Sequence, residues 1–100
     1  MLGFFLGSFA FSQEMSVKGT VYDTTGTRPL KNALAMAVRV RDSLLLDFQR
    51  TDAQGRFEIT GFPADTFSLV ISHPDADDKV YYMFGAADNF DITIPSIILP

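Results

Sequence analysis

The stretch Thr51-Asp52-Ala53-Gln54-Gly55-Arg56-Phe57 decides how the chain folds, because it joins two segments whose apolar side chains alternate. The Asp52 carboxylate can accept hydrogen bonds from backbone N–H groups two or three residues further on, and Gly55 can adopt the positive φ that such a turn requires. We therefore predict a tight turn in which Gly55 is the least replaceable residue. The flanking residues 44–50 and 57–61 are predicted to pair as a β-hairpin.

Alternation of apolar and polar side chains predicts strands along the rest of the chain. Residues 32–41 are ambiguous, since three alanines favour a helix by propensity. Nearly every position up to Val38 is apolar, however, which favours a strand buried on both faces. The predicted strands are residues 17–23, 32–41, 44–50, 57–61, 67–72, 80–84 and 90–94, with residues 96–99 ending the pattern. Six or seven strands at this spacing predict an all-β fold, an antiparallel β-sandwich.

Composition limits the classes of protein to which the chain can belong. One hundred residues with 47% hydrophobic and 20% charged side chains are typical of one globular domain with a packed core. The net charge of −4 argues against non-specific nucleic-acid binding, which requires clustered basic side chains. Since the chain has no cysteine, it has no disulfide, no thiolate nucleophile and no cysteine metal site.

Residues 1–12 carry no charge and resemble the apolar core and cleavage region of a secretory signal peptide. Cleavage is predicted after Ser12, which leaves a domain of residues 13–100 exported to the periplasm or outer membrane. A permanent membrane-spanning helix is not expected, because it needs about 20 apolar residues. No lysine or arginine precedes the apolar run. Either the chain has lost its first residues, or the segment is a buried strand of the domain.

The order and spacing of five short motifs resemble the carboxypeptidase regulatory-like domain family. The motifs are Val17-Lys18-Gly19-Thr20-Val21-Tyr22-Asp23, Pro29-Leu30-Lys31-Asn32-Ala33, Asp42-Ser43, Thr51-Asp52-Ala53-Gln54-Gly55-Arg56-Phe57 and Phe67-Ser68-Leu69-Val70-Ile71. The resemblance covers residues 16–99 and implies a seven-stranded antiparallel Greek-key β-sandwich of the transthyretin-like (prealbumin-like) type.

In bacteria such domains commonly follow the signal peptide of outer-membrane β-barrel proteins, including TonB-dependent receptors. The resemblance therefore implies a non-catalytic accessory module that contacts a downstream domain of the same protein or a periplasmic or outer-membrane partner.

Few residues are candidates for chemistry. His73 is the only histidine, so a multi-histidine zinc site and a catalytic set with two imidazoles are excluded. The transthyretin-like hydrolases need several histidines and a C-terminal Tyr-Arg-Gly-Ser motif, and this chain has neither. The sequence thus assigns no catalytic residue, no cofactor and no metal ligand, and predicts that the chain is not an enzyme.

Two sets of residues leave alternatives open. Asp75, Asp77 and Asp78 could supply oxygen ligands to calcium, but they lack the glycine and terminal glutamate of an EF-hand loop, and an ordinary solvated loop is the simpler interpretation. The aromatic C-terminal strands could expose a binding patch or fill the core; the residues concerned are Tyr81, Tyr82, Met83, Phe84 and Phe90. The alternative function is therefore a carbohydrate- or calcium-binding extracytoplasmic module.

Overall fold

A computed structural model describes residues 13–76, 79–85 and 90–99. Its seven strands are β1 (Glu14–Tyr22), β2 (Leu34–Arg39), β3 (Leu45–Arg50), β4 (Arg56–Pro63), β5 (Phe67–Ser72), β6 (Val80–Phe84) and β7 (Asp91–Ile98). They form a three-stranded sheet in the order β4-β1-β7 and a four-stranded sheet in the order β3-β2-β5-β6. No helix within these ranges could cross a membrane. The predicted fold class, a seven-stranded all-β sandwich, is confirmed. The predicted signal peptide lies outside the described residues.

The ambiguous segment is a strand, as predicted, but it is not buried on both faces. β2 lies between β3 and β5, and it turns its small side chains, Ala35 and Ala37, into the core with no exposure to solvent. The larger side chains of Leu34, Met36 and Val38 point away from the core and are only partly buried. The alternation therefore separates small core residues from larger residues on the outer side of the sheet.

The predicted hairpin between residues 44–50 and 57–61 is wrong, although the turn itself is present. The turn closes with Gly55 N–H donating to the Asp52 carbonyl at 2.9 Å, and the Asp52 carboxylate accepts the N–H groups of Gln54 and Arg56. Beyond it the strands diverge, because β3 pairs with β2 whereas β4 pairs with β1. The turn is thus a crossover between the two sheets.

A side chain links the two diverging strands where a hairpin ladder would continue. Gln49 on β3 accepts a hydrogen bond from the backbone N–H of Glu58 on β4, with 2.7 Å between Oε1 and N. The turn also packs on the end of β1, since the Gly55 carbonyl accepts the Val21 N–H at 2.8 Å. These contacts direct β4 towards β1, where Phe57 and Ile59 become part of the core.

One strand pair departs from the predicted antiparallel pattern. β7 pairs with β1 in the parallel sense, and it extends through Pro95, beyond the predicted end at residue 94. Proline cannot donate to a ladder, and the register between β1 and β7 shifts between Gly19 and Val21, so Pro95 lies at an irregular point of an edge strand. The backbones approach closely here: a Cβ on Gly19 would lie 2.7 Å from the Ile94 carbonyl oxygen.

The space between the sheets is filled by apolar side chains from both sheets and from the loops beside them. The largest fully buried residues are Met15, Val17, Val21, Ile59, Phe62, Phe67, Leu69, Ile71, Ile97 and Leu99. Phe62 and Phe67 contact edge to face, with ring centroids 5.0 Å apart, so they join β4 of one sheet to β5 of the other.

Four aspartates form hydrogen bonds or ion pairs within the loops, and the groups that they bind lower the pKa of each carboxyl group. The Arg39 guanidinium, bound at 2.7 Å, lowers the pKa of Asp42 from 3.8 to about 2. The hydroxyl of Thr25 lowers the pKa of Asp23. Backbone N–H groups act in the same way elsewhere: that of Arg56 lowers the pKa of Asp52, and that of Thr66 lowers the pKa of Asp65. A carboxylate with a lowered pKa stabilises the fold above its ordinary pKa and loses that contribution as pH falls through the folded value.

We therefore expect the melting temperature to be level between pH 7 and 5 and to fall between about pH 4 and 2. Asp42→Asn tests the largest single shift, because it removes the charge paired with Arg39. The variant should melt below the parent chain at pH 6, and the difference should shrink towards pH 2, as Asp42 becomes protonated in the folded chain as well. A difference that is the same at both pH values would contradict this assignment. Thermal melts followed by circular dichroism measure it.

Candidate functional site

The four-stranded sheet turns an apolar surface away from the core, which we call the outer face. Residues directly opposite each other on neighbouring strands share a face, and the register places Phe48, Met36, Val70 and Tyr81 in one row across all four strands. A second row contains Leu45, Val38, Ser68 and Met83. A third contains Arg50, Leu34 and Ser72. None of these outward positions carries a carboxylate.

Several side chains of the outer face are strongly exposed to solvent. Phe48 is 56% exposed, Tyr81 64% and Met83 68%, while Leu45 is 47% exposed. Val40 and Leu44 lie beside the turn between β2 and β3 and are 41% and 50% exposed. An antiparallel sheet that faces water usually has polar side chains on that side. Exposed apolar patches are often sites of contact with protein or lipid, so the outer face is a candidate binding surface.

The three-stranded sheet gives an internal comparison, because most of its outward side chains are polar; Ile98, 42% exposed at the end of β7, is an apolar exception. The register places Lys18 opposite Glu58 on β4 and opposite Thr93 on β7. Thr20 lies opposite Arg56, and the Ser16 hydroxyl donates to the Asp91 carboxylate at 3.0 Å. The same chain therefore carries one solvent-adapted outer surface and one apolar outer surface.

The predicted aromatic cluster divides between the two sides of β6. Tyr81 and Met83 lie on the outer face, whereas Tyr82 and Phe84 are partly buried against the core. Phe67 and Phe84 contact with ring centroids 5.4 Å apart. Tyr81 and Tyr82 thus point to opposite sides of the sheet and do not form one aromatic platform.

Phe90 lies apart from this cluster. It precedes β7, is 43% exposed, and its carbonyl accepts the Ser16 N–H at 2.9 Å. The structure therefore does not bring it together with the aromatic residues of β6.

The acidic loop is described only in part, since Asp77 and Asp78 lie outside the described residues. His73 holds the described part together: its Nδ1 accepts the Asp75 N–H at 3.0 Å, so its Nε2 carries the proton and donates to the Lys31 carbonyl at 3.0 Å. A cavity of about 340 Å³ borders this loop, lined by Asp23, Thr24, Leu30, His73, Asp75, Ala76 and Leu99. Within residues 13–76, 79–85 and 90–99, no three metal-ligating side chains converge.

A larger open groove of about 610 Å³ runs along the polar side of the three-stranded sheet beside the crossover turn. Its cations already face partners of the same chain. Lys18 is opposite Glu58 in the register, Arg56 lies 3.7 Å from the Asp52 carboxylate, and Arg50 donates to the Asn32 carbonyl at 3.3 Å. The groove is thus a polar, internally paired surface.

The outer face contains residues to which the sequence patterns assigned no role, above all Met36, Leu45 and Phe48. The sequence carries only a partial signal for them: residues 33–38 alternate alanine with larger apolar side chains, which defines two faces without showing which one is buried.

Comparisons with known proteins identify the fold of the chain but not its function. No protein-family model matches the chain, and no curated protein matches it. Among solved structures, it is similar to 3-chlorocatechol 1,2-dioxygenase from Rhodococcus opacus 1CP, with a TM-score of 0.58 and 14% identity over 89% of this chain and 60% of the dioxygenase chain. It is also similar to 5-hydroxyisourate hydrolase from Klebsiella pneumoniae, with a TM-score of 0.52 and 12% identity over 86% of this chain and 91% of the hydrolase.

Both neighbours are enzymes, but identities of 14% and 12% establish a shared fold and not a shared activity. The chain corresponds to 60% of the length of the dioxygenase chain. The class defined by these observations is therefore a transthyretin-like β-sandwich with one apolar outer face.

Proposed function

We propose that the chain is a non-catalytic accessory module of an exported cell-envelope protein, and that it works by docking to protein through its outer face. The observation that carries this proposal is the contrast between the two sheets: Leu45, Phe48, Tyr81 and Met83 are exposed on β3-β2-β5-β6, whereas outward side chains on β4-β1-β7 are mostly polar. If both outer surfaces faced only water, polar side chains would be expected on both sheets.

The arrangement of the polar groups also supports a non-catalytic role. Within the described residues, no buried polar side-chain atom lacks a hydrogen-bond partner. The aspartates with lowered pKa values each bind their own loop, and the single histidine links two backbone segments. These groups stabilise the fold and lie in separate loops. Catalysis requires such groups to converge at one site.

The proposed location of the chain in a larger protein is based on its resemblance to carboxypeptidase regulatory-like domains. On this proposal the chain is the N-terminal domain of an outer-membrane β-barrel or a TonB-dependent receptor-like protein, and residues 1–12 are removed during export. β1 begins at Glu14, beyond the proposed cleavage point, so cleavage leaves every described strand intact. The alternative, binding of carbohydrate through Tyr81 and Tyr82, has less support because the two rings lie on opposite sides of β6.

Export is tested by producing the full chain in a Gram-negative bacterium and measuring the mass of the protein in each cell fraction. We expect it in the periplasm or envelope, with its N-terminus at Gln13. Leu6→Arg interrupts the apolar run and should retain the chain in the cytoplasm, whereas Thr60→Lys, on the polar side of the sandwich, should leave export unchanged. A cytoplasmic parent chain that keeps residues 1–12 would contradict the proposal.

A further inference from the structure

We propose that the outer face binds the outer face of a second copy of this chain, so that two four-stranded sheets pack face to face. This inference rests on the proposed docking role of the face and names its partner. Two properties of the molecule support it: the area of the face and the symmetry available to a dimer.

The exposed area is close to what a modest dimer needs. Six apolar side chains on or beside the face are between 41% and 68% exposed: Val40, Leu44, Leu45, Phe48, Tyr81 and Met83. Side chains of this kind present roughly 200 Å² when fully exposed, so together they present roughly 600 Å² per copy. A standard interface buries about 800 Å² per partner, and smaller ones are weak and reversible. We therefore expect a dimer with a dissociation constant of about 1–100 μM.

Flat β-sheets with apolar faces pack about 10 Å apart with their strands roughly aligned, as the two sheets of a sandwich do. The row of Phe48, Met36, Val70 and Tyr81 crosses the middle of the face. In a twofold dimer this row meets the same row of the partner, because such an interface uses one patch twice.

The charged groups near the ends of the face are largely bound within the chain. At one end Asp42 binds Arg39 at 2.7 Å and Asp65 binds Arg41 at 3.0 Å. At the other end Arg50 donates to the Asn32 carbonyl at 3.3 Å, and Asp75 lies in the loop that follows β5. These charges therefore do not select one placement of the twofold axis.

Analytical ultracentrifugation of the full chain between 1 and 500 μM tests the inference. The parent chain should show a reversible monomer–dimer equilibrium. Met83→Lys and Phe48→Lys should each raise the dissociation constant at least tenfold, since each places a charge in the apolar centre of the interface. Thr60→Lys, on the polar side of the other sheet, is the matched control and should leave it unchanged. Circular dichroism confirms that each variant is folded, and Met83 is the safest site because it is 68% exposed.

The outcomes separate this inference from the proposed docking role. A folded chain that stays monomeric at 500 μM would overturn the second-copy inference but leave docking to a different protein. A dimer that Thr60→Lys disrupts and Phe48→Lys does not would overturn both, because the wrong face would be the interface. A monomeric chain that sediments with phosphatidylglycerol vesicles only while Phe48 is intact would assign the face to a lipid surface and would likewise overturn both.

Discussion

Replacing Gly55 with alanine is expected to lower the free energy of unfolding by about 3–4 kcal/mol, through two costs that add. Gly55 has a φ of +77°, a conformation that disfavours any L side chain by roughly 1–2 kcal/mol. A Cβ at this position would also lie 2.5 Å from the Val21 carbonyl oxygen and 3.1 Å from Pro29 Cβ. The Val21 carbonyl accepts the Leu30 N–H, so relief of the overlap would disturb the bond that closes the loop after β1.

Gly61 provides a matched control for this prediction. Its φ is +73°, nearly the same as that of Gly55, but the nearest atom to a methyl group added at this position would be Glu14 Oε1 at 3.8 Å. Gly61→Ala should therefore cost about 1–2 kcal/mol, from backbone conformation alone. Guanidinium denaturation of both variants gives the difference, which isolates the contact with β1. Equal losses for the two variants would mean that the crossover turn does not pack on β1 as described.

Replacing Thr51 with valine is expected to cost about 2–4 kcal/mol, although the two side chains have nearly the same shape. Thr51 is 5% exposed, and its hydroxyl bridges two backbone groups. It donates to the Leu30 carbonyl at 2.6 Å and accepts the Ala33 N–H at 2.8 Å. Valine would leave both backbone groups without this partner at a buried site, and each unsatisfied buried group costs about 1–3 kcal/mol.

Thr51→Ser is the control, since serine keeps the hydroxyl and loses only a methyl group. It should cost about 1 kcal/mol, the amount associated with one buried methyl(ene) group. Denaturation by guanidinium, with the slope of each transition compared, measures both variants. If valine is tolerated as well as serine, the hydroxyl does not connect the loop before β2 to the start of the crossover turn.

The local chemistry of the crossover turn could be predicted from sequence, but the pairing of its flanking strands could not. Asp52 and Gly55 take the roles that their residue types favour. Which strands then pair depends on contacts far apart in sequence: β4 reaches β1, near the start of the described chain, through the Gly55–Val21 hydrogen bond and the burial of Phe57. Alternation within residues 57–61 is the same for either partner, so it predicts a strand and leaves its neighbour undetermined.

The outer face could not be predicted for a related reason. Alternation divides β2 into two faces without saying which is inside, and burial preference alone would put Leu34 and Met36 in the core. The structure places alanines there, because Phe62 and Phe67 already fill the space between the sheets. An exposed aromatic patch on β6 is one of the two alternatives that the sequence leaves open, but its continuity with Phe48 depends on the order of the four strands.

The central claim, that the outer face is covered by a second copy of the chain, is tested most directly by the solvent accessibility of its methionine methyl groups. In a sample with ¹³C-methyl methionine, relaxation by a soluble gadolinium chelate reports exposure at Met15, Met36 and Met83 separately. Met15 is 1% exposed and serves as the buried reference. We expect Met36 and Met83 to approach the protection of Met15 at 500 μM and to lose it on dilution to about 1 μM. A Met83 methyl group that is fully accessible at every concentration would contradict the account.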